Sequence, residues 1–484
     1  MDDYGKYDAT ALAELVAQGE VTPDELLDEA LRRVEALNPK LNAVVHLRED
    51  VARTAIKDGL PEGPFRGVPF LLKDLGAEAI DYPTDNGSRL TAGTTWRFDS
   101  EIYLRMKRSG FVPFARTCAP EFGVGPVTDA QVYGGPTRNP WNLNRTPGGS
   151  SGGSGAAVAA GIVPAAHGSD GGGSVRIPAS SCGLVGFKPT RARLPDGPEA
   201  GEGWAGMAID GVLTRSLRDT AHFLDATSGP DLGVPYHAPP MHGTFNEAMT
   251  RPPKPLRIKF ATGTLSGEPI HPECRGAVEK TARLASDLGH RVEEVTFGNE
   301  LGVETMMLSW TKIVACGTAL TIQSKLAGAP LDETLVEGMS RGALRLADTV
   351  SGAQYLASVN EIHAFGRRMA RIFLDCDVLI TATLAEPPAE IGRLRPDNED
   401  FIDYRTGPNG VFAYSPFTAA FNASGQPCVS LPLHWSADDL PIGVHLAAAF
   451  GEDETIMALS AQLETAAPWA PKQQALIKGG GLSV

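Results

Sequence analysis

Apolar positions follow a helical rhythm at the start of the chain and gather into short, strand-length runs after it. Leu12, Leu15 and Val16 share one face of a helix that Asp8 can cap and Gly19 can end. Thr22-Pro23-Asp24-Glu25 then supplies an N-cap, a proline at the first helical position and a capping-box glutamate. Leu27, Ala30, Leu31, Val34 and Leu37 continue at helical spacing, and Asn38-Pro39 is expected to stop this second helix. Beyond it, residues 67–72 predict a strand that delivers Lys73-Asp74 at its end. Residues 101–109 predict a helix closed by Gly110, which feeds a strand over 111–115. Further strands are expected over 256–260, 291–295 and 378–382, with a helix over 272–288. This alternation predicts an α/β fold with an open sheet and helices on both faces. Residues 300–371 have a helical pattern without strands, and the strand pattern resumes after them, so they read as a helical insertion rather than a separate domain.

Composition narrows the partners. Hydrophobic residues make up 42% of the 484 and charged residues 21%, the balance of a globular enzyme. A net charge of −15 argues against a nucleic-acid partner and against docking on an anionic membrane. The six cysteines are scattered without a C-x-x-C, which offers neither a zinc knuckle nor a disulfide framework, so reduced thiols are expected. The acidic start Met1-Asp2-Asp3-Tyr4 is unlike a signal peptide, and the apolar stretch 155–166 is broken by Pro164 and short for a membrane span. A cytoplasmic location is the expectation.

The anomalous segment is 145–178, RTPGGSSGGSGAAVAAGIVPAAHGSDGGGSVRIP, with two glycine–serine clusters around a small-residue helix and a short strand. Glycine this dense costs backbone entropy and needs a reason, commonly close approach of N–H groups to an anion or unusual dihedrals. A P-loop would need G-x-x-x-x-G-K-[ST], and no lysine follows either cluster. A dinucleotide fingerprint needs a strand before Gly148, and an α/β-hydrolase elbow at Ser150 or Ser151 needs one too, whereas residues 139–144 read as loop. The match of Ser309-Trp310-Thr311-Lys312 to S-x-x-K has no Lys-Thr-Gly or Ser-Asp-Asn beside it and is set aside. A paired-serine site remains.

Here the chain resembles the amidase signature family. Gly148-Gly149-Ser150-Ser151-Gly152-Gly153-Ser154 and Asp170-Gly171-Gly172-Gly173-Ser174-Val175-Arg176-Ile177-Pro178 look like its two signature clusters, and the spacing of Ser150 and Ser174 agrees. Val68-Pro69-Phe70-Leu71-Leu72-Lys73-Asp74 supplies the upstream motif. Residues 137–142 and 186–190 extend the resemblance, as do Asn422, Gly425, Pro427, Pro441 and Gly443. The resemblance implies one amidase signature domain with an open mixed sheet: N-terminal helices over 1–60, a catalytic core over 61–230, the helical insertion over about 300–371, and the rest of the core over 372–470.

It also implies an amidase with Ser174 as nucleophile, Lys73 as base and Ser150, in a cis peptide, as relay. Backbone N–H groups of Gly171, Gly172, Gly173 and Ser174 would hold the oxyanion, Asp170 and Arg176 would brace the turn, and Ser151 and Ser154 would be structural. A neutral buried lysine can do the work of a histidine base, because burial lowers its pKa. No cofactor or metal is called for, and a homodimer is one open assembly state. The segment 167–193 resembles the branch acting on nylon-oligomer amides, anilides and carbamates. Departures from the commoner pattern include Cys118, Thr128-Asp129-Ala130, His167 and His445.

A neutral amide substrate is expected, because residues 121–134 offer only Asp129 as an interior charge and Met306-Met307-Leu308 could wall an apolar tunnel. Cys316 is a candidate substrate contact. A glutaminase subunit of a tRNA-dependent amidotransferase and an inactive binding member stay open as alternatives.

Overall fold

The computed structural model describes residues 4–479. Among these residues thirteen strands are present: β1 Val44–Val45, β2 Pro69–Lys73, β3 Val112–Thr117, β4 Asp129–Ala130, β5 Gly135–Pro136, β6 Ala165–Asp170, β7 Val185–Lys188, β8 Ile209–Thr214, β9 Arg257–Phe260, β10 Arg291–Glu294, β11 Val378–Ala382, β12 Cys428–Trp435 and β13 Pro441–Ala448. Eleven form one sheet in the order β1-β3-β2-β6-β8-β7-β12-β13-β11-β9-β10, and β4 and β5 pair separately. The sheet is mixed. β2 runs parallel to β3 and β6, and β9 parallel to β10 and β11, while β6–β8, β7–β8, β7–β12, β12–β13 and β11–β13 are antiparallel. Helices flank it, as the alternation predicted.

The N-terminal caps form as the residues dictate. Asp8 accepts from the Ala11 N–H at 3.0 Å, and Thr22 and Glu25 complete a reciprocal capping box. Asn38-Pro39, however, does not stop the second helix, which runs Pro23–Leu41. Pro39 falls in the last turn, where few ladder bonds remain to be lost, and the same turn buries Leu41 completely. Asn42, left-handed at φ 49°, closes the helix by donating its N–H to Asn38 O at 2.8 Å.

Four central strands escaped the pattern: β7, β8, β12 and β13. Asp210 and Gly211 interrupt β8, and Pro432 sits inside β12. Pro432 cannot donate to a ladder, and the β12–β13 register shifts between Leu431 and His434 to accommodate it. The insertion is helical as expected, with Val303–Leu326, Gly338–Asp348 and Gly352–Ile372 packed together. Among the described residues, Val303–Leu326 is the one helix long and apolar enough to cross a membrane, and more than half of its apolar window is buried inside the protein. All six cysteines are unpaired.

Because β2 and β6 are parallel neighbours, with Leu71 opposite Ala166, their carboxyl ends emerge at the same edge of the sheet. In open α/β sheets that edge is where ligands bind. Here it brings Lys73 beside Ser169 and Asp170.

Candidate active site

Lys73 ends β2 with its side chain fully buried. Its Nζ lies 2.6 Å from Ser150 Oγ and 2.9 Å from Ser169 Oγ. Burial draws its pKa down to about 7, against the pull of Asp210 and Asp170 toward the charged form. Its backbone N–H donates to His167 Nδ1 at 3.2 Å, and His167 Nε2 lies 3.0 Å from Asp210 Oδ1. An accepting Nδ1 leaves the proton on Nε2, directed at Asp210. His167 therefore steadies the end of β2 with both ring nitrogens engaged.

Ser150 lies in the first glycine–serine cluster, and the Gly149–Ser150 peptide is cis. Ser151 and Ser154 are tied to β6, as expected of structural residues. Ser151 Oγ donates to Ser169 O at 3.3 Å and accepts from the Ser169 N–H at 3.2 Å, and Ser154 Oγ donates to His167 O at 2.7 Å. The Ser151 N–H donates to Ser174 O at 3.3 Å, which holds the two clusters side by side.

The turn after β6 is built on a buried ion pair. Asp170 Oδ2 accepts from Arg176 Nε at 2.9 Å and Asp170 Oδ1 from Arg176 Nη2 at 2.8 Å, and both side chains are fully buried. Burial alone would raise the Asp170 pKa, but the Arg176 charge and hydrogen bonds from Arg176 and Asn422 hold it well below the carboxylate range. Arg176 also donates to Asn422 Oδ1 at 2.6 Å and meets His445 Nε2 at 3.1 Å. Asp170→Asn leaves the Arg176 charge buried without its counter-ion. Loss of such a partner costs about 3–5 kcal/mol. The urea midpoint should fall accordingly at unchanged m-value, and an unchanged midpoint would refute the bracing role.

Two of the turn's glycines explain its composition. Gly173 stands at φ +128°, and a Cβ there would meet Thr418 Oγ1 at 2.3 Å. A Cβ on Gly172 would meet the Trp310 ring at 2.9 Å. Thr418 Oγ1 donates to Gly172 O at 2.6 Å, and Trp310 Nε1 donates to Gly171 O at 3.3 Å. Of the four N–H groups expected to face an oxyanion, that of Gly173 is taken, since it donates to Asp170 Oδ1 at 2.7 Å. Those of Gly171, Gly172 and Ser174 have no acceptor among the described residues.

Ser174 and Gly172 line a cavity walled by Trp204, Trp310, Phe412 and Arg405. The lining bears on three expectations about this pocket. Cys316 is not in its lining: Trp310 and Gly317, seven residues apart, share the helix face turned to Trp204, and Cys316 is rotated away from it by about 100°. Asp129 is also outside the lining. Arg405, which the segment 121–134 could not reveal, supplies a fixed cation, so the expectation of a pocket without one is corrected. Met306 is core, whereas Met307 and Leu308 line a neighbouring cleft of about 740 Å³ that shares Phe412 with the Ser174 cavity. Ser169, Trp204, Trp310 and Arg405 were missed by sequence reasoning. The one signal was an aromatic cluster, Phe401, Tyr404 and Phe412, around Arg405.

An eleven-stranded mixed sheet with a buried lysine, a cis-serine and a glycine-rich serine turn at one edge defines a class, and the chain belongs to the amidase family, which it matches over residues 25–457. It is an amidase, a hydrolase acting on amide bonds. Among curated relatives, the 6-aminohexanoate-cyclic-dimer hydrolase of Paenarthrobacter ureafaciens is 38% identical over 480 residues, 97% of each chain. Among solved structures, a 6-aminohexanoate cyclic dimer hydrolase complexed with substrate matches with a TM-score of 0.91 at 36% identity, over 98% of this chain and 99% of that one. A bacterial aryl acylamidase of the amidase signature family matches with a TM-score of 0.87 at 28% identity, over 98% of each chain.

Proposed function

We propose that Ser174 is the nucleophile, Lys73 the base and Ser150 the relay between them. The observation that carries this reading is the 2.6 Å contact of Lys73 Nζ with Ser150 Oγ at a fully buried lysine. Neutral Lys73 takes the Ser150 proton as Ser150 takes that of Ser174, and Ser174 Oγ bonds to the carbonyl carbon. The N–H groups of Gly171, Gly172 and Ser174 are the donors left for the oxyanion, where each well-placed donor is worth about 2.7–4 kcal/mol. As the C–N bond breaks, Ser150 protonates the leaving nitrogen and recovers a proton from the Lys73 ammonium. Water then attacks the acyl-enzyme by the same relay, which restores Ser174.

The substrate class we assign is an amide of nylon-oligomer, anilide or carbamate type. Likeness to 6-aminohexanoate-cyclic-dimer hydrolase and to an aryl acylamidase supports it, as do the aromatic walls of the cavity. Among the described residues, the lining of this cavity contains no carboxylate to pair the α-ammonium of glutamine. The test compares kcat/KM for 6-aminohexanoate cyclic dimer, an anilide and an aryl carbamate with that for glutamine. At least one of the three is expected to exceed glutamine. A tenfold advantage for glutamine, about 1.4 kcal/mol of transition-state preference, would overturn the assignment in favour of a glutaminase.

A further inference from the structure

We propose that Arg405 recognises a carboxylate on the substrate, so that preferred amides carry a free acidic group on the part of the molecule lying against Trp310 and Phe412. The inference rests on the reading of the Ser174 cavity as the substrate site.

Arg405 is 4% exposed and lines the same cavity as Ser174. Its guanidinium carbon lies 4.3 Å from the centroid of Trp310 and 5.2 Å from that of Phe412. These rings partly offset the cost of burying the charge, but their faces accept no in-plane hydrogen bond from the guanidinium N–H edges. Its Nε is buried and unpartnered, and among the described residues no carboxylate lies within ion-pair distance of it. Other deeply buried arginines have partners: Arg116 donates to the Lys73, Ala77 and Tyr82 carbonyls, Arg176 pairs with Asp170 through both Nε and Nη2, and Arg193, whose Nε is also unpartnered, still pairs through Nη2 with Asp453. Burial draws the Arg405 pKa down to about 10, with only Tyr404 acting in the opposite sense, so it is charged at neutral pH. A buried cation without a counter-ion is costly, and buried charges are ordinarily paired. Here the missing partner is the ligand. The planar fork of an arginine is matched by a carboxylate, which accepts two parallel N–H bonds. Because the lining offers no anion for an ammonium, the fit is to a carboxylate without a neighbouring amine. Monoamides of dicarboxylic acids and acid-terminated ω-amino-acid oligomers are of this kind.

The test uses 4-nitroanilides of dicarboxylic acids of graded chain length, each matched with an analogue whose carboxylate is replaced by a methyl ketone. At the best length the wild-type protein is expected to prefer the carboxylate by about tenfold or more in kcat/KM, equivalent to about 1.4 kcal/mol. Arg405→Gln should bring the ratio close to one, and Arg405→Lys should keep part of it. A ratio within each protein is insensitive to a general loss of activity, and Arg405→Lys with the wild-type series carries the test if Arg405→Gln does not fold. A second arm measures calorimetric binding of the dicarboxylic monoanilides to the Ser174→Ala protein, with Arg405 present or replaced. Binding there that depends on Arg405 would support the proposal even if no nitroanilide is cleaved, in which case only the catalytic reading fails. Equal turnover of acid and ketone at every length, or a preference that survives Arg405→Gln, would overturn it.

Discussion

Ser174→Ala is expected to abolish amide hydrolysis, by on the order of 10⁴-fold or more, the scale seen when a covalent nucleophile is removed. The fold should survive. The Ser174 hydroxyl makes no hydrogen bond among the described residues, and the contact that joins the two serine clusters uses its carbonyl, which alanine keeps. A fluorophosphonate should inactivate the wild-type protein and label Ser174, as read by intact mass and peptide mapping. Ser151 and Ser154 are the controls. Their hydroxyls are buried and committed to carbonyls of β6, so neither can reach an electrophile without breaking the sheet edge. A label on Ser151, or a Ser174→Ala protein with wild-type turnover, would refute the assignment.

The site was more legible in the sequence than the pocket around it, for a physical reason. Lys73, Ser150, Asp170, Ser174 and Arg176 lie in glycine-rich or strand-end motifs whose composition is strange unless backbone must approach something closely. Gly172 under the Trp310 ring and Gly173 at φ +128° are that strangeness made concrete. Pocket walls carry no such mark. Trp310 sits mid-helix in an apolar run, and Arg405 sits in a charged segment, residues 396–405, that resembles any solvated loop. Only the tertiary fold brings the two within 4.3 Å and sets both in the lining of the Ser174 cavity. The same holds for the sheet. Outer strands such as β9, where Ile258 and Phe260 alternate with Arg257 and Lys259, and β10, a short segment around Val292, were visible in isolation, but β8, with Asp210 and Gly211 inside it, and β12, with Pro432, depend on neighbours to become strands. Asn38-Pro39 failed as a stop signal because burial of Leu41 outweighs a proline placed in the last turn.

Lys73 should set the pH dependence of the enzyme. Its pKa is drawn down to about 7, so below that pH it is protonated and cannot accept from Ser150, and above it the amine is free. The rate should therefore rise with a single-proton limb centred near pH 7 and level off on the alkaline side. Lys73→Ala should lower kcat/KM by on the order of 10⁴-fold and abolish the limb. Lys73→Arg should be as inactive, because a guanidinium stays protonated throughout the range and cannot act as a base. His167 is the next candidate for a base, and its contacts argue against it: Nδ1 accepts the Lys73 backbone N–H and Nε2 faces Asp210. His167→Gln should accordingly keep the limb, shifted only as far as loosening the end of β2 moves the lysine. An active Lys73→Arg protein, or a limb that disappears with His167 and not with Lys73, would move the base to the histidine. Either result would leave the buried Lys73–Ser150 contact as structure alone.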